Sequence, residues 1–241
     1  MEIEVCVDNH ESLLTACKAG ADRIELCSSL ELGGLTPSIG FAIAAVVDSA
    51  VPVYAMIRPR AGDFVYSDEE INIMINDIYL FKSIGVDGVV FGVLNEDSTV
   101  NTKALLKLVT AANGIGVTFH RAFDLVDNPF DSIFLLIEYG CDRVLTSGLN
   151  ATAIEGVELI SELNKIAGAK IKIMAGAGVS HVNALDIVNI TGVSEIHLSG
   201  KRLRPSKMIS SKGVKMGKHC DSDANISITC YDKIKQVVDL F

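Results

Sequence analysis

The chain reads as an α/β protein: a single (β/α)8 barrel of the TIM type, with an extended segment after the eighth strand and a C-terminal helix. Internal repetition is the first observation behind this reading. The element Gly-x-Asp-x-Ile/Val recurs as GADRI at Gly20, GVDGV at Gly85 and GCDRV at Gly140, with a variant, GVSEI, at Gly192. Each copy follows a helical pattern and opens a strand. The second observation is spacing. Further β-rich runs lie between the copies: VPVYAMI from Val51, GVTFH from Gly116 and KIKIM from Lys170. With Ile3 to Val7 they make eight strands at intervals of roughly 20 to 35 residues, the spacing of strand-plus-helix units.

The elements follow in order. Gly20 ends the first helical pattern, because a glycine just past the last turn adopts the left-handed conformation at no side-chain cost. In the strand Arg23-Ile24-Glu25-Leu26-Cys27, alternation sends Ile24 and Leu26 to one face and Arg23, Glu25 and Cys27 to the other. A glycine- and proline-punctuated loop, GGLTPS, follows, and a helix begins near Ser38. Ser67 or Asp68 caps the next well-marked helix, whose apolar face is Ile71, Met74, Ile75, Ile78 and Phe81, with Gly85 beyond its end. Asn128 before Pro129 starts another, since proline in the first turn loses no hydrogen bond. It runs through Ile133 and Ile137 to Gly140. Strands alternating with helices imply parallel pairing, and closure into a barrel accommodates eight of them. An open doubly wound sheet needs fewer strands and usually a GxGxxG fingerprint, which the chain lacks. One domain spans residues 1–241: barrel over 1–200, loop segment over 201–228, C-terminal helix over 229–241.

Composition sets the limits on partners. The 241 residues are 49% hydrophobic and include no tryptophan, enough for a large aliphatic core. MEIEVCV has no basic region and reads as a strand, not a signal peptide. No apolar run approaches the roughly 18 residues a membrane span needs. The expectation is a soluble, cytoplasmic protein without membrane partners. A formal charge of −9 argues against nucleic acid, which needs a basic face. Lys201 to Lys218 is a local basic exception. Six cysteines at irregular spacing, with no C-x-x-C pair, are not a disulfide framework and are expected to stay reduced.

In this fold chemistry sits at the C-terminal ends of the strands. The first two strands carry Glu4-Val5-Cys6 and Glu25-Leu26-Cys27. Apolar helices lie outside, so Ile3, Val5, Val7, Ile24 and Leu26 face outward, and Glu4, Cys6, Glu25 and Cys27 face the interior. Interior carboxylates need partners; Arg58, Arg60, His120, Arg121 and His197, all near strand ends, are candidates. Two inward thiols in matching register on adjacent strands reach one soft ion such as Cu(I) or zinc, with Met56 also in phase. The same cysteines also fit as small core residues or as a reversible disulfide.

Arg58 and Arg60 in IRPRAGD suit bidentate capture of a carboxylate or phosphate, or a salt bridge to Glu25 or Asp63 that holds the loop. In TFHRAFD, Thr118 and His120 point inward; His120 is a ready acid or base that Asp124 is placed to orient. MAGAGV, with Gly176 and Gly178, and His197-Leu198-Ser199-Gly200 form the loops after strands seven and eight, a common phosphate seat in barrels. The neighbouring basic segment supports an anionic ligand there, or is a solvated loop.

Taken together, MEIEVCVD, GADRIELC, GGLTPS, MIRPRAGDFVYSDEE, VTFHRAFD, RVLTSG and IMAGAGV resemble the CutC family, the copper homeostasis proteins. The resemblance runs from the first residue to about Gly200; beyond Ser199, KMISSKGVKMG departs from it. It implies a TIM-type barrel, a cytoplasmic setting and a role in copper handling, with Cys6 and Cys27 matching the family's proposed Cu(I) ligands. Cys17, Cys141, Cys220 and Cys230 match no family motif. Two functions of different class follow. One is copper binding through Cys6 and Cys27. The other is a barrel enzyme, lyase or isomerase in type, acting on a small anionic or carbohydrate-like substrate. There Glu25 or His120 moves a proton, supported by Asp124 and His197, while Arg58, Arg60, Arg121, Gly176, Gly178 and Ser199 hold the substrate. A homo-oligomer is compatible with either.

Overall fold

Short β-branched and aliphatic runs form eight parallel strands, and β1 (Glu2–Val7) pairs with both β2 (Arg23–Leu26) and β8 (Glu195–Leu198), so the sheet closes on itself. Between them stand β3 (Val53–Met56), β4 (Gly88–Phe91), β5 (Gly116–Phe119), β6 (Arg143–Thr146) and β7 (Lys172–Ala175). The structure, a computed structural model, describes residues 1–208 and 224–241. The outer layer is α1 (His10–Ala19), α2 (Ile39–Asp48), α3 (Asp68–Ile84), α4 (Thr102–Ala112), α5 (Pro129–Glu138), α6 (Val157–Ala167) and α7 (Ala184–Thr191). Helix starts follow the capping signals: Ser38 caps α2, Asn128 caps α5 with Pro129 in its first turn, and Ser67 with Glu70 forms a reciprocal capping box on α3. No helix of the described residues is long and apolar enough to cross a membrane.

The repeated element has a physical cause on both sides. Its glycine is the left-handed cap that ends the preceding helix, as at Gly20 (φ 98°) and Gly85 (φ 92°). Its aspartate accepts a hydrogen bond from the N–H at or near the start of the neighbouring strand: Asp22 from Ile3 (2.9 Å), Asp87 from Val53 (2.8 Å) and Asp142 from Val117 (2.8 Å). The motif thus stops a helix and clamps two adjacent strands at the N-terminal rim.

Alternation partitions the side chains as the sequence implies. Ile3, Val5, Val7, Ile24 and Leu26 are buried between sheet and helices in the main core. The position after the repeat's aspartate points into the barrel and carries Arg23, Gly88, Arg143 and Glu195. There Arg23 pairs with Glu4, Glu2 and Glu195, and Arg143 with Glu195. Tyr54 lies beside both guanidiniums, 5.2 Å from that of Arg23 and 5.4 Å from that of Arg143. It occupies the space left by Gly88 and Gly116, where an added Cβ would sit 2.3 and 2.1 Å from the ring and hydroxyl. This ion-paired layer floors the site above it. Burial pushes the Glu4 carboxyl above its usual range even though Arg23 pulls it down.

One expected boundary is corrected. Residues 201–228, read from sequence as a loop, contain β9 (Lys201–Pro205) and β10 (Asn225–Thr229), an antiparallel pair apart from the barrel. Lysines and arginines in β9 hid the alternation. Thr229 belongs to β10, and the C-terminal helix α8 spans Tyr231–Val238. The pair is tied to α1: Thr229 N–H donates to Ser12 Oγ (2.9 Å), and Arg204 pairs with Glu11 (2.8 Å). The basic segment beyond Met208, with most of KMISSKGVKMG, and Cys220 lie outside the described residues.

Candidate functional site

At the C-terminal ends of the strands lies a cavity of about 480 Å³. Its polar wall comprises Cys6, Glu25, Arg58, His120, Arg121, His197, Ser199 and Lys201, and its apolar wall includes Leu30, Leu32, Phe64, Leu125 and Leu145.

Glu25 is its centre. The residue is 3% exposed; Oε2 accepts from His197 Nε2 (3.0 Å) and from the Cys27 thiol (3.7 Å), and Oε1 has no partner. Burial pushes this carboxyl up, but His197 and the hydrogen bonds outweigh it and hold it below the usual carboxylate range. His197 shows the converse: burial opposes its charge, yet Cys6 and Glu25 raise its pKa well above the ordinary value. The pair is therefore carboxylate and imidazolium near neutral pH. Cys6, Glu25 and His197 bring one donor atom each to within 4.8 Å of one another.

His120 is 4% exposed and of opposite character. Burial, then the Arg58 guanidinium, lower its pKa to about 4, so the ring is neutral. Nδ1 accepts from the Ala122 N–H (3.1 Å), which places the proton of the neutral ring on Nε2, a buried donor without a partner. Arg58 donates to the carbonyls of Leu32 (2.8 Å), Gly34 (3.1 Å) and Gly62 (2.9 Å), while its Nε is unpartnered. Phe64 packs against both, its ring 4.9 Å from the Arg58 guanidinium and 4.8 Å from the His120 ring, to which it is tilted by 56°.

Several expectations are revised. The two cysteines face inward but are not in matching register. Cys6 lies opposite Glu25, so Cys27 sits two residues further along its strand, roughly 6.6 Å of rise at ~3.3 Å per residue. Cys27 is fully buried against Met56 and Val90 outside the cavity wall, and burial followed by Glu25 raises its thiol well above the usual range. Asp124 does not orient His120. It holds the loop after β6, accepting from Thr146 Oγ1 (2.5 Å) and the Ser147 N–H (3.0 Å), and pairs with Arg121 (2.7 Å).

Arg60 does not line the cavity; it pairs with Glu70 (2.5 Å) and Asp63 (3.0 Å) and so stiffens its own loop. The Gly176 N–H is spent on the Thr146 carbonyl (3.0 Å), and an added Cβ would meet Leu145 at 2.5 Å, so that glycine serves packing. Gly178 and Ser199 do line the cavity. Phe64 was not singled out from sequence, although an aromatic four residues after a pair of arginines was a readable signal; Lys201, the first residue of the basic segment expected beside an anionic ligand, lines the cavity.

Comparison with known proteins agrees with the fold. The CutC family model matches residues 1–202. A CutC family protein of Photobacterium profundum is 47% identical over 240 residues, covering 99% of this chain and 98% of its own length. One from Aliivibrio fischeri is 50% identical over 240 residues, covering 98% and 97%. A solved CutC structure from Streptococcus agalactiae, named there for copper homeostasis, superposes with a TM-score of 0.78 at 35% identity over 82% of this chain and 97% of that one. The N-(5'-phosphoribosyl)anthranilate isomerase of Pyrococcus furiosus superposes with a TM-score of 0.57 at 15% identity, over 99% of this chain and 97% of that one, a likeness of fold alone. Matched along most of its length by the family model and by relatives near half-identical, this chain belongs to the CutC family.

Proposed function

We propose that this chain is a cytoplasmic copper-binding protein of copper homeostasis, with the ion held at the open end of the barrel by Cys6 together with His197 and Glu25. The convergence of those three donor groups within 4.8 Å carries the reading. The buried, unpartnered Oε1 of Glu25 fits a ligand atom awaiting a cation. A thiolate and an imidazole suit copper, with the carboxylate a harder third donor. The role itself comes from the Streptococcus agalactiae relative named for copper homeostasis. Cys27, protonated and buried, acts through its hydrogen bond to Glu25 and is not a second thiolate ligand. Binding requires the His197 proton to leave, so copper uptake releases a proton and weakens as pH falls. X-ray absorption on Cu(I)-loaded, reduced protein tests the donor set. One sulfur with a nitrogen or oxygen shell is expected; a two-sulfur shell contradicts the assignment, and failure to load sinks the copper reading.

A second reading, acid–base catalysis on a small organic molecule, is favoured by the cavity's volume, far beyond what one ion fills, and by the partnerless donors of His120 and Arg58. Glu25, ionised, accepts a proton from the substrate. The His120 Nε2–H and Arg58 face the negative charge that develops, and His197 holds Glu25 in place. Metal-free protein should then exchange solvent deuterium into small hydroxycarbonyl compounds, and Glu25→Gln should abolish the exchange. Exchange that persists in the variant rules Glu25 out as the base.

A further inference from the structure

The polar atoms left unmatched around the cavity define a ligand by complement. Two are donors, His120 Nε2–H and Arg58 Nε–H, and one is an acceptor, Glu25 Oε1; all three belong to side chains more than nine-tenths buried. Unmatched buried polar atoms cost stability, which a ligand restores by supplying the missing partners. A molecule that satisfies the set must offer acceptor oxygens to the two donors and a hydroxyl hydrogen to the carboxylate.

Charge decides the acceptor side. The chain carries a formal −9, yet this wall holds Arg58 and Lys201 against one carboxylate, Glu25, while Arg121 beside them is paired with Asp124. A local excess of cations in an acidic protein concentrates anions. The remaining wall is apolar, with Leu30, Leu32, Phe64 and Leu145 placed to cover a short carbon chain. The backbone adds strain at the same rim: Ser29 (φ 48°), Leu149 (φ 60°) and Ala177 (φ 79°) hold left-handed conformations in the loops after β2, β6 and β7. Such conformations are costly for residues other than glycine and gather at ligand-binding loops.

We propose that the cavity binds a small hydroxylated oxyanion, a hydroxy acid or a phosphorylated polyol, with its anionic group on the Arg58, His120 and Lys201 side and a hydroxyl donating to Glu25 Oε1. The inference rests on the second reading above and is independent of copper.

Calorimetric titration of metal-free protein, kept in chelator, with glycerate, glycerol 3-phosphate, propionate and glycerol tests it. Glycerate or glycerol 3-phosphate binds about tenfold or more tightly than propionate, which lacks the hydroxyl, and than glycerol, which lacks the charge. Whichever of the two binds tighter identifies the anionic group. His120→Asn keeps an acceptor for the Ala122 N–H while deleting Nε2–H, and weakens that ligand by about tenfold. Glu25→Gln, whose amide donates where Oε1 accepts, narrows the gap between glycerate and propionate. Equal binding of glycerol and the anions, no saturation by any of the four, or an unchanged affinity in His120→Asn overturns the proposal. Tight binding without deuterium exchange leaves it standing and removes only the catalytic reading.

Discussion

At the scale of residues, two histidines in one cavity are held in opposite protonation states. His120, with a folded value of about 4, is neutral; His197, raised by Cys6 and Glu25 against the cost of burial, is charged. Nitrogen-15 NMR of metal-free protein near pH 7 should show an Nε2–H tautomer for His120 and an imidazolium for His197. The pH signs are opposite as well. An unfolded histidine titrates near ~6.5, so on acidification the unfolded chain takes up the His120 proton first. Stability tied to this group is therefore present above about pH 6.5 and is lost between there and pH 4, by up to ~3 kcal/mol. His197 contributes below about pH 6.5 and loses its contribution as pH rises through its raised folded value. Denaturant unfolding at several pH values should show a shallower acid limb in His120→Asn; an unchanged slope contradicts the assignment. Phe64→Ala, which frees the planes of Arg58 and His120, should reduce ligand or metal occupancy of the cavity while costing the fold only about 1–2 kcal/mol, since the ring is part-exposed. Equal occupancy in that variant means the ring does not set the site.

Among the elements, the recurrent aspartates make a sharp prediction. Asp87→Ala removes the acceptor for the Val53 N–H and should cost about 1–3 kcal/mol in chemical denaturation. Asp22→Ala and Asp142→Ala act at separate strand pairs and should add to it. A neutral Asp87→Ala would mean that the glycine turn alone sets the strand start. These elements were legible from sequence because their signals are local: Ser67 and Glu70 box their own helix, and Gly20 ends its own turn. Which faces point inward was equally legible, since alternation has no freedom once helices cover the outside. What alternation lacks is height. It places Cys6 and Cys27 inside but says nothing of the stagger between strands, which sets Cys6 beside Glu25. Asp124 illustrates the same limit: it is four residues after His120, yet its partners come from β6 and the loop that follows.

Across the whole molecule, the barrel separates two charged layers with different tasks. The lower one, Arg23, Arg143, Glu4 and Glu195, is matched internally save for Glu4 Oε1 and supports the walls. Removing Arg143 leaves two buried carboxylates, Glu4 and Glu195, to share the Arg23 guanidinium, so Arg143→Met should destabilise by about 3–5 kcal/mol even though it touches no cavity residue's function; a change within ~0.5 kcal/mol would show the layer to be dispensable. The upper one, Glu25, His197, His120 and Arg58, keeps unmatched atoms at the open end. Sequence reasoning reached that upper layer through strand-end positions and put Glu4 and Arg23 of the lower one on the inward face, but it missed Arg143 and Glu195, which meet only after the sheet has closed. The signal was present in the repeat, which carries Arg, Gly, Arg and Glu at one inward position.

Cys6, with Glu25 and His197, and not the pair of cysteines, is the ion-binding centre we propose. Competition for Cu(I) against a chelator of known affinity, comparing Cys6→Ser with Cys27→Ser, decides it. That proposal predicts a loss of about 100-fold or more in Cys6→Ser and a change within about tenfold in Cys27→Ser. Equal losses in the two variants, or no copper taken from the chelator by the unaltered protein, would contradict it.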